Sequence, residues 1–382
     1  MNDYRSPWMT DELEGFRRTV RRFFETEVAP HAERWEQQQY VDRAVWRKAG
    51  ELGMLCVSVP EQYGGRGGSF LHEAIIIEEQ ARVGDCAFGV VLANMGVPIF
   101  LRAASEEQKH QWIPRLTSGE SILAFALTEP GAGSDAKAIT TSARRDGEYY
   151  VLNGSKTFIS NGYNGDVVLL AARTAATEDK SKGISLFMLD TKDLVGYRVG
   201  RILNKVGQKG QDTAELFFDD VRVPAANLVG GVENQGFKQL MSGLRTERTV
   251  LGLIGVANAE RAVRLTLDHV KQRKAFGKTL WDLQNTRFKL AECQTQVRIA
   301  RVFVDHCIQL TTEDRLDSAN AAMCKWWNTE LQNRVIDECV QLHGGYGYMT
   351  EYPIARMWVD ARVQRIYGGA TEIQKEVIAR FM

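Results

Sequence analysis

Two short stretches of this 382-residue chain place glycines and hydroxyl groups beside strand-like apolar sequence: residues 127–135 (LTEPGAGSD) and residues 153–162 (NGSKTFISNG). In the first, Gly131 and Gly133 allow the backbone to approach a ligand closely and to adopt dihedrals closed to other residues. Thr128 and Ser134 add hydroxyls, and several N–H groups are free to donate, which suits a flat, acceptor-rich ring or a phosphate. In the second, Phe158 and Ser160 sit at strand period, so an aromatic wall and a hydroxyl face the same way. By pattern alone each stretch also reads as a tight glycine-rich turn. A third feature is acidic. Leu240, Leu244, Leu251 and Ile254 form a helical stripe, and Glu247 falls at its open position. A carboxylate on the apolar side of a helix is desolvated, which raises its pKa and suits it to take a proton near neutral pH. A structural ion pair with Arg245 or Arg248 is the other reading, and the pattern leaves both open.

The elements that must position these groups change character twice. Up to about residue 119 the sequence is helical, with Leu13, Phe16, Val20, Phe23 and Phe24 at helical spacing; Pro60 and the glycines of residues 64–68 (GGRGG) interrupt it. Residues 121–226 carry short β-rich runs at 149–152, 166–172, 184–190 and 215–218, separated by Gly, Asn and Asp turns. Helical periodicity returns from residue 236, broken at Gly277, residues 344–347 and residues 368–369. Three domains are expected: 1–119, 120–227 and 228–382.

Composition narrows the function. The balance of 48 basic against 48 acidic residues argues against nucleic acid or a membrane surface as the main partner. Six scattered cysteines without C-x-x-C spacing read as buried thiols in a reducing compartment, and six histidines without H-E-x-x-H give no metal site. The N-terminal residues 1–16 lack the character of a signal or transit peptide. The longest apolar stretch, residues 87–101, is short for a bilayer and is interrupted by Asn94 and Pro98. A soluble cytoplasmic protein is expected.

Four further motifs follow in order around the first two: residues 61–65 (EQYGG), 273–277 (RKAFG), 341–348 (QLHGGYGY) and 365–371 (RIYGGAT). Taken together, the six resemble the signatures of the acyl-CoA dehydrogenase family, most nearly its long-chain type, over almost the whole chain. The resemblance implies an α+β fold: an N-terminal helical domain, a middle β-barrel-like domain and a C-terminal four-helix bundle. It implies an FAD-dependent enzyme converting an acyl-CoA thioester to the trans-2-enoyl-CoA, with electrons passed to electron-transferring flavoprotein, and a homo-oligomer, expected to be a tetramer. In most members the base is the Glu of an I-Y-E-G motif. Here residues 366–369 read IYGG, so the usual base is missing. Long-chain and isovaleryl-type members instead carry it in an E-R pair like Glu247–Arg248, and Val359 also matches the long-chain pattern. Gly368 keeps the backbone N–H that polarises the thioester carbonyl in the family, so Glu247 and Gly368 are the implied catalytic pair.

The resemblance also implies the contacts. Phe125, Leu127, Thr128, Gly133, Ser134, Phe158 and Ser160 are expected on the flavin. Arg273, Phe276 and Gln284 are expected to reach a neighbouring subunit's FAD. Gln341, Leu342, His343, Gly344, Gly345, Thr371 and Glu372 are expected to form the other half of that composite site, and Ala370 is expected among the cofactor contacts. Ser134, Lys238, Arg245, Arg248, Gly368 and Gly369 are expected on the CoA thioester. Without the resemblance, Phe276 reads as core and Arg273 as a solvated helix charge, and His343 reads as structural or as an FAD contact. The glycines of residues 64–68 read as a turn at the active-site entrance. Two other functions remain in view: a flavin oxidase or monooxygenase on the same fold, and a DNA-associated relative, which would need a basic patch.

Overall fold

The computed structural model describes residues 4–382, and of residues 92–94 the backbone alone. Residues 1–3 of the N-terminal stretch and the side chain of Asn94 lie outside the described residues. The first third is helical: α1 (Asp11–Phe23), α2 (Ala32–Gln38), α3 (Arg43–Glu51), α4 (Phe70–Val83), α5 (Val90–Ala103) and α6 (Glu106–Thr117). Helix α1 starts where the Thr10 hydroxyl accepts from the Leu13 N–H, and it buries Leu13, Val20 and Phe23. A reciprocal Ser105–Gln108 box starts α6. Helix α5 runs through Pro98, so the proline that interrupts the apolar run does not end the helix.

The middle third is a seven-stranded sheet: β1 (Leu123–Ala126), β2 (Ser142–Asp146), β3 (Tyr149–Ser160), β4 (Val167–Arg173), β5 (Ile184–Asp190), β6 (Tyr197–Ile202) and β7 (Thr213–Pro224). Strands run β1-β4-β2-β3-β7-β6, with β5 antiparallel on β4. The barrel-like expectation therefore takes the form of a curled sheet. Alternation along the central strands divides two cores. In β4, Val167, Leu169 and Ala171 join the main helical core, while Val168, Leu170 and Ala172 fill the core of the curl. Burial on both faces explains why this strand is a continuous apolar run.

The last third begins with α7 (Gly236–Gln272), then a hairpin of β8 (Lys274–Ala275) and β9 (Lys278–Thr279), α8 (Gln284–Thr312), α9 (Ser318–His343), α10 (Pro353–Ala361) and α11 (Thr371–Ala379). At 37 residues α7 is the spine, packing against α4, α5, β5, α8, α9 and α10. Gly252 and Gly255 let it lie close on α9, since a Cβ at either would overlap the backbone at Cys324 or Asn328. Arg301 of α8, nearly fully buried, bridges Glu78 of α4 at 2.7 Å and Glu260 of α7 at 2.7 Å. Asp305 beside it accepts from the Trp8 indole at 3.0 Å, which ties in the N-terminal segment. Among the described residues the six cysteines form no disulfide with one another, and five are buried. Among the described residues no helix is long and apolar enough to cross a membrane.

Candidate active site

A cavity of about 1840 Å³ opens where α4, α5, α7, α10 and α11 meet the ends of β1 and β3. Pockets for single drug-sized ligands span roughly 300–1,000 Å³, so this one has room for two large partners. Both glycine-rich stretches reach it. Phe125, Leu127, Thr128, Gly133 and Ser134 line one wall, followed by Phe158 and Ser160. Strand alternation turns Leu123 and Phe125 of β1 towards the helices and Ala124 and Ala126 into the curl.

Two expectations about these stretches change. Neither Gly131 nor Gly133 has positive φ; a Cβ at either would meet nothing within 4 Å. Their use is an open, side-chain-free approach rather than an unusual dihedral. Phe158 and Ser160 do not share a wall by simple alternation either. The ladder with β7 shifts register between Lys156 and Ile159, and Phe158 takes φ 58°, in the left-handed region. This irregularity sends Phe158 into the cavity while Ile159 stays buried.

Beneath the first stretch lies an ion pair that the sequence reading did not single out. The fully buried Lys156 of β3 donates to Glu129 at 2.8 Å and to the Leu127 carbonyl at 3.0 Å. Glu129 also accepts from the Thr140 and Thr141 N–H groups at 2.6 and 2.9 Å. Burial alone would raise its pKa, but the Lys156 ammonium and these donors bring it down to about 2. Burial lowers Lys156 to about 8 against the pull of Glu129. The pair fixes the loop, whose tight turn closes through reciprocal Glu129–Ala132 backbone bonds at 3.0 Å.

On the opposite wall the α7 stripe faces the cavity: Leu240, Leu244, Glu247, Leu251 and Ile254 all line it. Neither oxygen of Glu247 takes part in a hydrogen bond or ion pair among the described residues, so the structural ion pair with Arg245 or Arg248 is not formed. Its accessible surface opens onto the cavity. Burial pushes its carboxyl above the usual range, with Arg248 and Lys325 pulling the other way. Facing it is the turn between the short helical segment Arg362–Arg365 and α11. Gly368 (φ 62°) and Gly369 (φ 86°) are consecutive left-handed glycines. A Cβ at 368 would lie 3.2 Å from Glu247 Oε1 and 2.1 Å from Leu251 Cδ1. The turn's carbonyls are held from behind: Lys325 Nζ donates to Gly369 O at 2.8 Å, and Gln374 Nε2 donates to Gly368 O and Gly369 O at 3.2 and 2.9 Å. Among the described residues the Gly368 and Gly369 N–H groups have no acceptor. A carboxylate without a partner thus faces a backbone turn with donors to spare, an arrangement that can take a proton and steady the charge left behind.

Arg248 and Ala370 also line the cavity, and the buried Arg248 Nε is without a partner. The other expected contacts lie elsewhere. Arg245 turns away, donating to Leu316 O at 2.9 Å and pairing with Asp314 at 3.5 Å, and the exposed Lys238 does not reach the lining. Thr371 spends its hydroxyl on Glu330 at 2.9 Å, and Glu372 is exposed outside the cavity. Arg273, Phe276, Gln284, Gln341, Leu342, His343, Gly344 and Gly345 lie away from it too; no residue between 259 and 332 lines it. Several of these gather beyond the far end of α7. Arg273 sits over Tyr346 at 5.3 Å, and Phe276 is 92% exposed at the hairpin tip, so it is not core. His343 is buried, bonded through Nδ1 to Cys339 O at 2.8 Å and stacked on His269. Its side chain shapes the loop, and Gly344 and Gly345 present bare backbone outward. The glycines of residues 64–68 are not at the entrance: Gly64 and Gly65 line a separate hollow of about 320 Å³ with Gly50, Pro114 and Thr117.

Three family models match the chain in order: the acyl-CoA dehydrogenase N-terminal domain over residues 10–120, the middle domain over 124–221 and the C-terminal domain over 234–382. The chain belongs to the acyl-CoA dehydrogenase family. It is 48% identical over 373 residues to the mitochondrial long-chain specific acyl-CoA dehydrogenase of Sus scrofa, covering 97% of this chain and 86% of that one. An acyl-CoA dehydrogenase from Geobacillus kaustophilus has the same fold with a TM-score of 0.96 at 43% identity, over 99% of both chains. A glutaryl-CoA dehydrogenase of Mycobacterium smegmatis, solved in complex with FADH2, gives a TM-score of 0.87 at 27% identity over 98% of this chain and 95% of that one.

Acyl-CoA dehydrogenases are FAD-dependent oxidoreductases, and the residues present suit such a cofactor. The cavity is large enough for a dinucleotide beside a thioester. Phe158 offers an exposed ring, Gly133 an approach free of side chains, and Gln364 a buried amide oxygen without a partner. The sequence reading also missed the stretch after β6, where Leu203, Lys205, Val206 and Gln208 line the cavity. No periodicity or motif marks this segment. Only its position after a strand end could have drawn notice.

Proposed function

We propose that this acyl-CoA dehydrogenase oxidises long-chain acyl-CoA thioesters to trans-2-enoyl-CoA with Glu247 as the base. The observation that carries the reading is the meeting, in one cavity, of the uncommitted Glu247 carboxylate, the free N–H groups of the Gly368–Gly369 turn and the two glycine-rich stretches. Glu247 removes the α-proton, and its raised pKa suits it to do so near neutral pH. The Gly368 and Gly369 N–H groups donate to the thioester oxygen as the bond pair left on the α-carbon delocalises onto it. Bound FAD supplies the acceptor for the β-hydride. Phe125, Leu127, Thr128, Gly133, Ser134, Phe158 and Ser160 would hold its ring system, with Ala370 beside the turn. Leu240, Leu244, Leu251 and Ile254 exclude water and, with Val91, Met95 and Ile99 of α5, form an apolar passage suited to an extended alkyl chain. Arg248 would meet the CoA moiety with its unpaired Nε. Electron-transferring flavoprotein is the proposed acceptor.

The same reading makes the active unit an oligomer. Arg273 directly follows the last residue of α7, and Glu247 lies 26 residues back along the same helix, ~39 Å away at ~1.5 Å per residue. If the hairpin, Gln284 and the loop of Gln341–Gly345 serve a flavin, it is the flavin of another copy. A tetramer is the proposed state, with two chains completing each FAD site. The test of substrate is a series of acyl-CoA thioesters scored by flavin bleaching under anaerobic conditions. Long saturated chains should bleach fastest, and a preference for short chains would overturn that assignment.

A further inference from the structure

The buried ammonium of Lys325 has no assigned task. It projects from α9 with no exposed surface, and Nζ lies 2.8 Å from the Gly369 carbonyl oxygen. Among the described residues no carboxylate comes within 4 Å of it, so this is a buried cation without a direct ion-pair partner. Such a charge is costly to bury. A neutral amide would satisfy the same carbonyl, and Gln374 already does so from the other side at 2.9 Å. What the lysine adds is positive charge directly behind the turn. The charged groups around it come from three elements: Glu247 and Arg248 of α7, Glu330 of α9 and Glu372 of α11. Glu330 is already engaged by Arg365 at 2.8 Å and Thr371 at 2.9 Å, and Glu372 is exposed. Glu247 is the one facing carboxylate that is both sheltered and uncommitted.

We propose that Lys325 is a positioning residue for proton abstraction, fixing the Gly368–Gly369 turn and holding a positive charge behind the thioester oxygen and across the turn from Glu247. The inference rests on the reading of Glu247 as base. In the step itself the α-C–H bond breaks, the proton moves to a Glu247 oxygen, and the bond pair becomes enolate charge on the thioester oxygen at the turn. Negative charge therefore travels from the carboxylate to the oxygen at the facing turn, and Lys325, directly behind that turn, acts electrostatically on Glu247 as well. The cation steadies the charge at either end of the transfer. It also counteracts the desolvation that would otherwise neutralise Glu247.

The test uses the FAD-loaded enzyme and a 3-thiaacyl-CoA, in which sulfur replaces the β-carbon so that the α-C–H can ionise but no hydride can leave. Exchange of its α-hydrogens with deuterated solvent is followed by mass spectrometry across pH, and its binding by calorimetry. Lys325→Gln keeps a hydrogen-bond donor directed at Gly369 and removes the charge, while Lys325→Met removes both. In each, exchange near neutral pH should fall ~10-fold or more with ligand binding and FAD content retained. The acid limb set by Glu247 should move to higher pH, because a neighbouring cation has gone. The parent should lose exchange on the alkaline side as Lys325, lowered by burial to about 8, gives up its proton, and neither variant should show that limb. Lys205, another cavity lysine held to about 8 by burial, is controlled by Lys205→Gln, in which the limb should persist. Parental rate and limbs in Lys325→Gln would overturn the proposal, including the case where only Lys325→Met is impaired. Persistent exchange in Glu247→Gln would instead remove the base assignment itself, so the two failures are separable.

Discussion

At the scale of single residues, the site turns on a carboxylate at 247 and the lack of one at 368. Glu247→Gln keeps shape and hydrogen bonding but cannot take a proton. Flavin reduction by acyl-CoA should slow by ~10²-fold or more while the thioester still perturbs the flavin spectrum. Because burial raises the Glu247 pKa, kcat/KM should fall as pH drops through a value above the ordinary carboxylate range, and this limb should be missing from any residual activity of the variant. Moving the proposed base is harder than the family resemblance implies. Position 368 sits at positive φ, and its Cβ would press on Leu251 Cδ1 at 2.1 Å. Gly368→Glu in a Glu247→Gly background should therefore restore flavin reduction better when Leu251→Ala is added. Equal rescue with and without that third change would show that Leu251 moves aside freely.

At the scale of elements, the loop bearing Thr128 and Ser134 is held by the buried Lys156–Glu129 pair. Removing one partner strands the other charge, so Glu129→Leu should lower stability by about 3 kcal/mol and loosen FAD, seen as a lower melting point and faster flavin loss. The pH sign follows from the lowered Glu129 pKa. Its stabilisation is present above the unfolded value of 4.5 and is lost as pH falls towards about 2. Glu129→Gln should flatten the stability profile in that window. The sequence revealed some elements and hid others for physical reasons. Strands β4 and β5 announce themselves because both of their faces are buried. Strands β2 and β6, with burial on few positions, read as charged or mixed sequence (SARRD, YRVGRI) and were not anticipated. The α7 stripe was legible because a cavity wall obeys the same 3.6 periodicity as a core. The Phe158 irregularity was not, since a register shift leaves no mark in the order of residues. Lys156 and Glu129 lay inside recognised motifs, yet only the fold brings them together.

For the whole molecule, the hairpin at the C-terminal end of α7 is the part that a single copy leaves without a purpose. Arg273→Ala removes a charge placed beside Tyr346 and close to the exposed Phe276. If it meets the pyrophosphate of a neighbouring copy, FAD should be lost from the variant more readily than affinity for acyl-CoA. Unchanged flavin content would return Arg273 to the role of a surface charge. Helix α7 has a second consequence, concerning cooperativity. It touches the N-terminal helices, the curled sheet and the C-terminal bundle, and Arg301 and Asp305 clamp α8 to α4, to α7 and to the N-terminal segment. No third of the chain can melt without stripping one face of this spine and exposing apolar surface on its neighbours. Three units that read separately along the sequence should thus give one calorimetric transition, and a cut in the loop between α6 and β1 should leave the fragments associated.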